Sequence, residues 1–376
     1  MKVLLFANTD WFLYNFRLAL ALALRERGDE VVLVSPEGPY VSRLQELGFR
    51  WVRFPLARRG LNPLTEISTI VRLYGLYRRE NPDLVHHFTV KCVLYGSLVC
   101  FLLGIHSVVN SVEGLGYVFT EGRGTRRLLR GLVKLIYRLV LPPTCVIFLN
   151  PDDRSFFINN HLVNPKRTVL IRSAGVDIRK FVPRPESKGP PLVILPARLL
   201  WDKGVGEFVT AARQLRAAGL RARFALVGDN DEGNPASVHV VQLQDWQKEN
   251  VIELWGWKEN MADVYAQAAI VCLPSYREGV PITLIEAAAC GRPIVTSDVP
   301  GCREVVRHGE NGLLVPARDA GALAEALKKL LLSPNTRSEM GRRGRTIAER
   351  DFSIDLVISQ TFSVYQSCMD NHSRRM

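Results

Sequence analysis

A chain of 376 residues exceeds the length at which one hydrophobic core usually stops growing, and its 47% hydrophobic content is ample for two cores. The formal charge of +12 implies an anionic partner, but no zinc-finger or RNA-binding signature interleaves the basic residues, which sets nucleic acid aside in favour of a phosphorylated substrate or an anionic lipid. Seven cysteines without a C-x-x-C pair read as reduced core thiols of a cytosolic protein, not as a disulfide framework.

The opening run MKVLLFANTDW is too short for a signal peptide, is bounded by Asp10, and reads as a first buried strand. NFRLALALALRERG follows as a helix ending on Gly28. EVVLVS, WVRFPL, LVHHF, SVVNSV and CVIFLN then recur between helix-like stretches, the β-α-β rhythm of a parallel doubly wound sheet. The apolar stretch 92–105 is far shorter than the ~20 residues of a spanning helix, so any membrane contact is expected at the surface.

Within this half, DLVHHFTVK sets His86 and His87 at a strand terminus with Lys91 just beyond. Successive strand side chains point to opposite faces, so at most one imidazole is expected to face a ligand while the other packs in the core. NSVEGLGYVF places Glu113 before Gly114 and Gly116 on the rim of the same sheet. The stretch 125–143 reads as an amphipathic helix, with Arg126, Arg127, Arg130, Lys134 and Arg138 set against Leu128, Leu129, Leu132, Leu135, Ile136 and Val140. Its apolar stripe either packs on the sheet or lies at an anionic membrane; Arg72, Arg78 and Arg79 on a second basic helix favour the membrane.

A Pro/Gly-punctuated segment, 181–191, precedes a restart of the rhythm in LVILPA, FALVGD, VIELWG, IVCLP and PIVTS. The expected organisation is two Rossmann-like domains, 1–185 and 186–350, with 351–376 forming a helix that returns to brace the first. Ligands of such sheets bind beyond the carboxyl ends of the strands, so two facing sheets predict an interdomain cleft.

At those strand ends, LVILPARLLWDKG presents Arg198 and Lys203 ahead of Gly204 and a helix, a diphosphate clamp in which two cations act with a helix N-terminus. LVGDNDEGNP presents Gly228 and a nominal Asp-x-Asp at Asp229 and Asp231; that pair either holds a divalent metal or serves the loop, and the loop reading is preferred because the cations already neutralise phosphate. The most informative window is SYREGVPITLIEAAACGRPIVTSDVPGCREVV, with seven residues between Glu278 and Glu286. Thr283 is expected to cap a helix whose first turn carries Glu286, and the Gly279-Val280-Pro281 turn is expected to leave backbone N–H groups free beside Glu278. One loop carboxylate and one helix carboxylate beside free amides suit a ligand bearing hydroxyls and phosphates.

The window 275–306, the R-L-L-W-D-K-G stretch and the two-half layout resemble the retaining glycosyltransferases of family 4, across essentially the whole chain. WFLYNFR, VHHFTVKCVLYGSL, EGLGYVFT, FLNPDD and GDNDEGNPAS look more narrowly like bacterial enzymes that add a hexose or N-acetylhexosamine to an undecaprenyl-diphosphate-linked saccharide. The resemblance implies the GT-B fold, with Glu278 at the donor sugar hydroxyls and Glu286 on the ribose. It further implies Arg198 and Lys203 on the diphosphate, Gly279, Val280 and Pro281 covering sugar and phosphates, and Gly228 lining the donor. Asn15, Arg17, Lys91, Glu113, Gly114 and Gly116 fall on the acceptor side. The family often has His-x-His where this chain has His86-His87-Phe88, leaving open which histidine approaches the anomeric carbon.

The implied reaction is transfer with retention from a UDP-sugar, by same-face attack in which a leaving phosphate oxygen helps take the acceptor proton. No cofactor and no metal are required by this reading. The implied partners are a UDP-sugar, a polyprenyl-diphosphate-linked saccharide and the anionic inner face of the cell membrane, with no nucleic acid. Two rivals share the features: a UDP-sugar 2-epimerase, which would need no acceptor, and a non-catalytic nucleotide-sugar scaffold, which would tolerate loss of Glu278.

Overall fold

A computed structural model describes residues 1–57, 62–114, 125–231 and 233–373, with side chains described for all of these except 125–129 and 371–373. The chain forms two compact units, one of Met1–Ala174 with Asp355–Met376 and one of Gly175–Ile354.

The first unit is built on seven parallel strands: β1 (Lys2–Phe6), β2 (Glu30–Ser35), β3 (Arg50–Arg53), β4 (Leu84–Phe88), β5 (Val108–Val112), β6 (Cys145–Phe148) and β7 (Thr168–Leu170). Their order is β3-β2-β1-β4-β5-β6-β7, and Phe6 pairs with Val34 on one side and His87 on the other. Every residue of β4, β5 and β6 is buried, as expected where helices cover both faces of a parallel sheet and apolar runs need not alternate. The first five of these strands and β6 match the apolar runs. The three-residue edge strand β7 was too short to register as one.

The helix after β1 is interrupted where an uninterrupted one was expected. Thr9 Oγ1 accepts from Phe12 N–H at 3.1 Å to start it, a π turn occupies Leu13–Arg17, and the α-helix resumes at Leu18–Glu26. The extra residue in the turn rotates the face of the helix, and Arg17 is buried.

The second unit holds six parallel strands in the order β10-β9-β8-β11-β12-β13: β8 (Leu192–Pro196), β9 (Arg223–Val227), β10 (Glu253–Gly256), β11 (Ile270–Leu273), β12 (Ile294–Ser297) and β13 (Gly312–Val315). Residues 175–185, read from composition as the end of the first domain, pack within this unit. Val176 and Phe181 lie in its core, and Arg345 donates to the Phe181 carbonyl at 2.6 Å and the Ile178 carbonyl at 3.0 Å. Pro and Gly mark where the chain is exposed, which is a few residues after it changes packing partners. The last helix, Ile354–Ser373, returns to the first unit, where Val357, Val364, Tyr365 and Cys368 share a core with Val3, Leu5, Val31 and Leu33.

All seven cysteines are unpaired and buried. Each sheet reverses its strand order once, between β1 and β4 in the first unit and between β8 and β11 in the second. Such switch points are where open α/β sheets bind ligands, beyond the carboxyl ends of the strands.

Candidate active site

In the second unit the switch point is built by two loops. β8 continues through Arg198 into a single 3-10 turn, Trp201–Lys203, and β11 continues into residues 274–281. The loops are held together by backbone: Tyr276 N–H donates to the Asp202 carbonyl at 2.9 Å, and a Cβ on Gly204 would sit 2.2 Å from the Pro274 carbonyl oxygen. Gly204 also has φ +73°, so space and conformation both demand glycine there.

This contact brings Lys203 onto Glu278. Lys203 Nζ donates to Glu278 Oε1 at 2.5 Å, and Ser275 Oγ donates to the same oxygen at 2.6 Å. Both of these bonds fall on Oε1. Arg198 Nη1 meets Asp231 Oδ2 at 2.6 Å, while its side chain is 55% exposed. Each clamp cation expected from sequence is therefore paired with a carboxylate of its own unit. Asp229 and Asp231 do not act as a pair: Asp229 Oδ1 accepts from Trp257 N–H at 3.1 Å, and Asp231 serves Arg198 and Asn234.

Glycines let these loops approach. Gly228, just past β9, has φ +143°, and a Cβ there would meet the Ala197 carbonyl oxygen at 2.2 Å. A Cβ on Gly301 would lie 2.3 Å from the Gly279 oxygen and 2.7 Å from the Glu278 oxygen. Val280 packs against the core, and Pro281 opens the helix Ile282–Ala289.

The helix start differs from the sequence expectation. Pro281 is the N-cap, no side chain caps it, and Thr283 is already helical. Glu286 therefore lies beyond the first turn and takes its environment from burial instead of the helix end. The Tyr265 hydroxyl donates to Glu286 Oε2 at 2.9 Å. Desolvation raises the Glu286 carboxyl to about 7, with the Tyr265 hydrogen bond and the Lys180 charge opposing that rise.

In the first unit, Arg17 and Glu113 come together as a direct ion pair, Arg17 reaching from the π turn and Glu113 following β5. The guanidinium lies 4.5 Å over the ring of Phe88, the last residue of β4, and its Nε is buried with no partner among the described residues. Beside the pair, Thr89, Ser111, Glu113 and Gly114 line a cavity of about 190 Å³. Thr89 has φ +70°, rare for a β-branched residue and a strain of the kind stored at functional sites. Gly116 lies outside the described residues. Asn15 is exposed and donates to the Trp11 carbonyl of its own helix at 2.9 Å. Lys91 binds Glu66 at 2.7 Å and the Ala57 carbonyl at 2.8 Å, beside Tyr95, and joins neither Arg17 nor Glu113.

The histidines alternate as expected, but neither presents a free ring nitrogen. His86 Nδ1 is 2.7 Å from the Tyr365 hydroxyl and its Nε2 is 2.8 Å from Ser111 Oγ. His87 Nδ1 is 2.8 Å from Asn110 Oδ1 and its Nε2 is 3.0 Å from the Tyr77 hydroxyl. Burial lowers both, His87 to about 4, so both rings are neutral at physiological pH. The expectation that one faces a reaction centre is corrected to two satisfied core imidazoles, because β4 is central and covered on both faces.

Nothing in the sequence singles out Ser275 or Tyr265, and Asp231 enters there only as half of the nominal Asp-x-Asp, with the loop reading preferred. Ser275 stands three residues before Glu278, a spacing that fits a turn, but serine is common in loops. Tyr265 arrives from another helix and carries no local signal.

The helix Thr125–Val140 divides its apolar residues between two faces. Val133, Tyr137 and Val140 are core, while Leu132, Leu135 and Leu139 are each more than half exposed. On the helix Pro63–Glu80, Leu64, Ile67 and Val71 form a second outward stripe. Among the described residues no helix is long and apolar enough to cross a membrane.

Two family models match the chain: "Glycosyl transferase 4-like" over residues 2–148 and "Glycosyl transferases group 1" over residues 190–333. It is 28% identical over 385 residues, 99% of this chain and all of the relative, to the N,N'-diacetylbacillosaminyl-diphospho-undecaprenol alpha-1,3-N-acetylgalactosaminyltransferase of Campylobacter jejuni. It is 24% identical, over 89% of this chain and 91% of the relative, to the UDP-Gal:alpha-D-GlcNAc-diphosphoundecaprenol alpha-1,3-galactosyltransferase of Escherichia coli. Anabaena HepE, crystallised with UDP and glucose, superposes with a TM-score of 0.80 at 18% identity over 98% of this chain and all of its own. That likeness bears on the fold alone and agrees with two Rossmann-like units of the GT-B class. The two family models fall on the two units in turn and each reaches its switch-point strands, and the chain accordingly belongs to the group 1, family 4-like glycosyltransferases.

Proposed function

We propose that this glycosyltransferase moves a hexose or N-acetylhexosamine, GalNAc or GlcNAc, from a UDP-sugar to a polyprenyl-diphosphate-linked saccharide in the assembly of a bacterial surface or protein-linked glycan. The observation that carries the reading is the full-length similarity to transferases named for undecaprenyl-diphosphate-linked acceptors. The second unit supplies the donor contacts. Glu278, fixed by Lys203 and Ser275 through one oxygen, offers the other to sugar hydroxyls, and Glu286 accepts from the ribose. Arg198 and Lys203 stabilise the charge that develops on the leaving diphosphate, more in the transition state than in the ground state.

The first unit supplies the acceptor contacts through Arg17, Glu113 and Gly114. Transfer proceeds with retention, by same-face attack with a leaving phosphate oxygen taking the acceptor proton, and needs no metal. Dense positive charge and the outward stripes of the helices Pro63–Glu80 and Thr125–Val140 support peripheral docking on the inner face of the cell membrane.

The test is incubation with a panel of UDP-sugars and a short-chain polyprenyl-diphosphate-sugar, following UDP release and product mass with Glu278→Gln alongside. Acceptor-dependent UDP release with a hexose- or N-acetylhexosamine-sized mass gain, abolished in the variant, is expected. Donor turnover without a larger lipid product would overturn the assignment.

A further inference from the structure

Arg198 and Lys203 are engaged in different ways. The ammonium of Lys203 sits beside a carboxylate that a second donor also holds, whereas Arg198 is gripped by one Nη only. The Arg198 partner, Asp231, is a built feature of the loop after β9. Its Oδ2 also accepts from Asn234 Nδ2 at 3.1 Å, and its N–H donates to Ser237 Oγ at 3.2 Å. Asn234 N–H donates to the Asp231 carbonyl at 2.9 Å, and Ser237 N–H donates to the Asn234 carbonyl at 2.9 Å. The loop is in turn zipped onto the Arg198 loop: Trp201 N–H donates to the Ala236 carbonyl at 2.8 Å, Val238 N–H donates to the Leu199 carbonyl at 2.9 Å, and Leu200 and Ser237 form an antiparallel bridge.

We infer that Asp231 is a positioning residue for the donor diphosphate: it holds Arg198 by one nitrogen, so that the remaining edge of the guanidinium fork points to solvent as a preformed phosphate receptor. A guanidinium carries five donors in a rigid plane, and one bond to a carboxylate leaves an edge that binds two phosphate oxygens side by side. The exposure of Arg198 beside an anchored partner fits that division of labour. A free arginine at this place would lose rotamer entropy on binding; a held one has already lost it. This inference rests on the donor reading of the second unit and adds a residue to it.

The experiment is a double-mutant cycle read by calorimetric titration of the intact protein with UDP, using wild type, Asp231→Asn, Arg198→Gln and the double variant. Asp231→Asn is expected to weaken UDP binding about tenfold, as is Arg198→Gln, and the double variant is expected to be no weaker than Arg198→Gln alone. In turnover, Asp231→Asn is expected to lower kcat as well as raise the donor KM, because the Arg198 it holds acts more on the transition state than on the bound donor. Equal weakening by Asp231→Asn in both backgrounds would make Asp231 a loop support with no action through Arg198, and tighter UDP binding would make it a competitor for the cation; either overturns the inference. Failure of the wild type to bind UDP would instead remove the donor reading, and the positioning role with it, which is a distinct result.

Discussion

Glu278 and Lys203 are each useful because the other is present. Lys203→Met would leave a mostly buried carboxylate without its charge partner and remove a cation from the leaving group. Its kcat/KM is expected to fall about 10²–10³-fold, measured by UDP release, with a lowered Tm on thermal melting. Glu286 makes a second, signed prediction. Its folded pKa, about 7, lies above the ordinary 4.5, so the fold favours the neutral acid. The stability this gives is complete below the ordinary value and is lost as pH rises through 7. Urea unfolding at pH 5 and pH 8 should show a loss at the higher pH on the order of 2–3 kcal/mol that Glu286→Gln removes. The charged residues of this site were legible in the sequence because loop acids and bases near glycine and proline are conspicuous. Their partners were not, since Tyr265 reaches Glu286 from a separate helix and Asp231 reaches Arg198 across a loop pair.

At the scale of elements, the loop 274–281 is positioned by glycines on other segments. Gly301→Ala would force a Cβ into the backbone of Gly279 and Glu278 at a φ of +83°, conditions that disfavour alanine twice. A loss of at least about 2 kcal/mol in chemical denaturation, together with loss of transfer, is expected, whereas Gly28→Ala, whose Cβ meets nothing within 4 Å, should cost only the strain of its positive φ and leave transfer intact. The last helix makes an equally local contribution. Tyr365 is fully buried and its hydroxyl meets His86, so Tyr365→Phe should cost about 1–3 kcal/mol by leaving an imidazole nitrogen unpaired, with donor binding unchanged in a UDP titration. Strands were easy to read because a parallel sheet buried on both faces writes continuous apolar runs. The π turn at Leu13–Arg17 was not, because the apolar run Leu18 to Leu24 that follows it hides a one-residue shift of the helical face.

For the whole molecule, the balance of charge and exposed aliphatics is the quantity to test. Replacing Arg126, Arg127 and Arg130 together by glutamine should weaken co-sedimentation with anionic vesicles about a hundredfold, from roughly 1 kcal/mol per cation, while neutral vesicles show little change. Unaltered sedimentation would remove the charge argument for membrane docking. The amino-acid sequence by itself determined that there are two Rossmann-like units, which strands compose most of them, that Arg198, Lys203 and Glu278 lie in loops following strands, and that Glu286 lies on the helix after Glu278. These follow from local periodicity and from residue types whose chemistry is plain wherever they occur. Only the tertiary structure decided that residues 175–185 pack with the second unit, that both histidines are spent inside the core, and that Lys203 pairs with Glu278 while Asp231 holds Arg198. Each of those depends on which distant segment comes within hydrogen-bond reach, a matter of how strands are ordered and loops folded back, and no spacing along the chain records it.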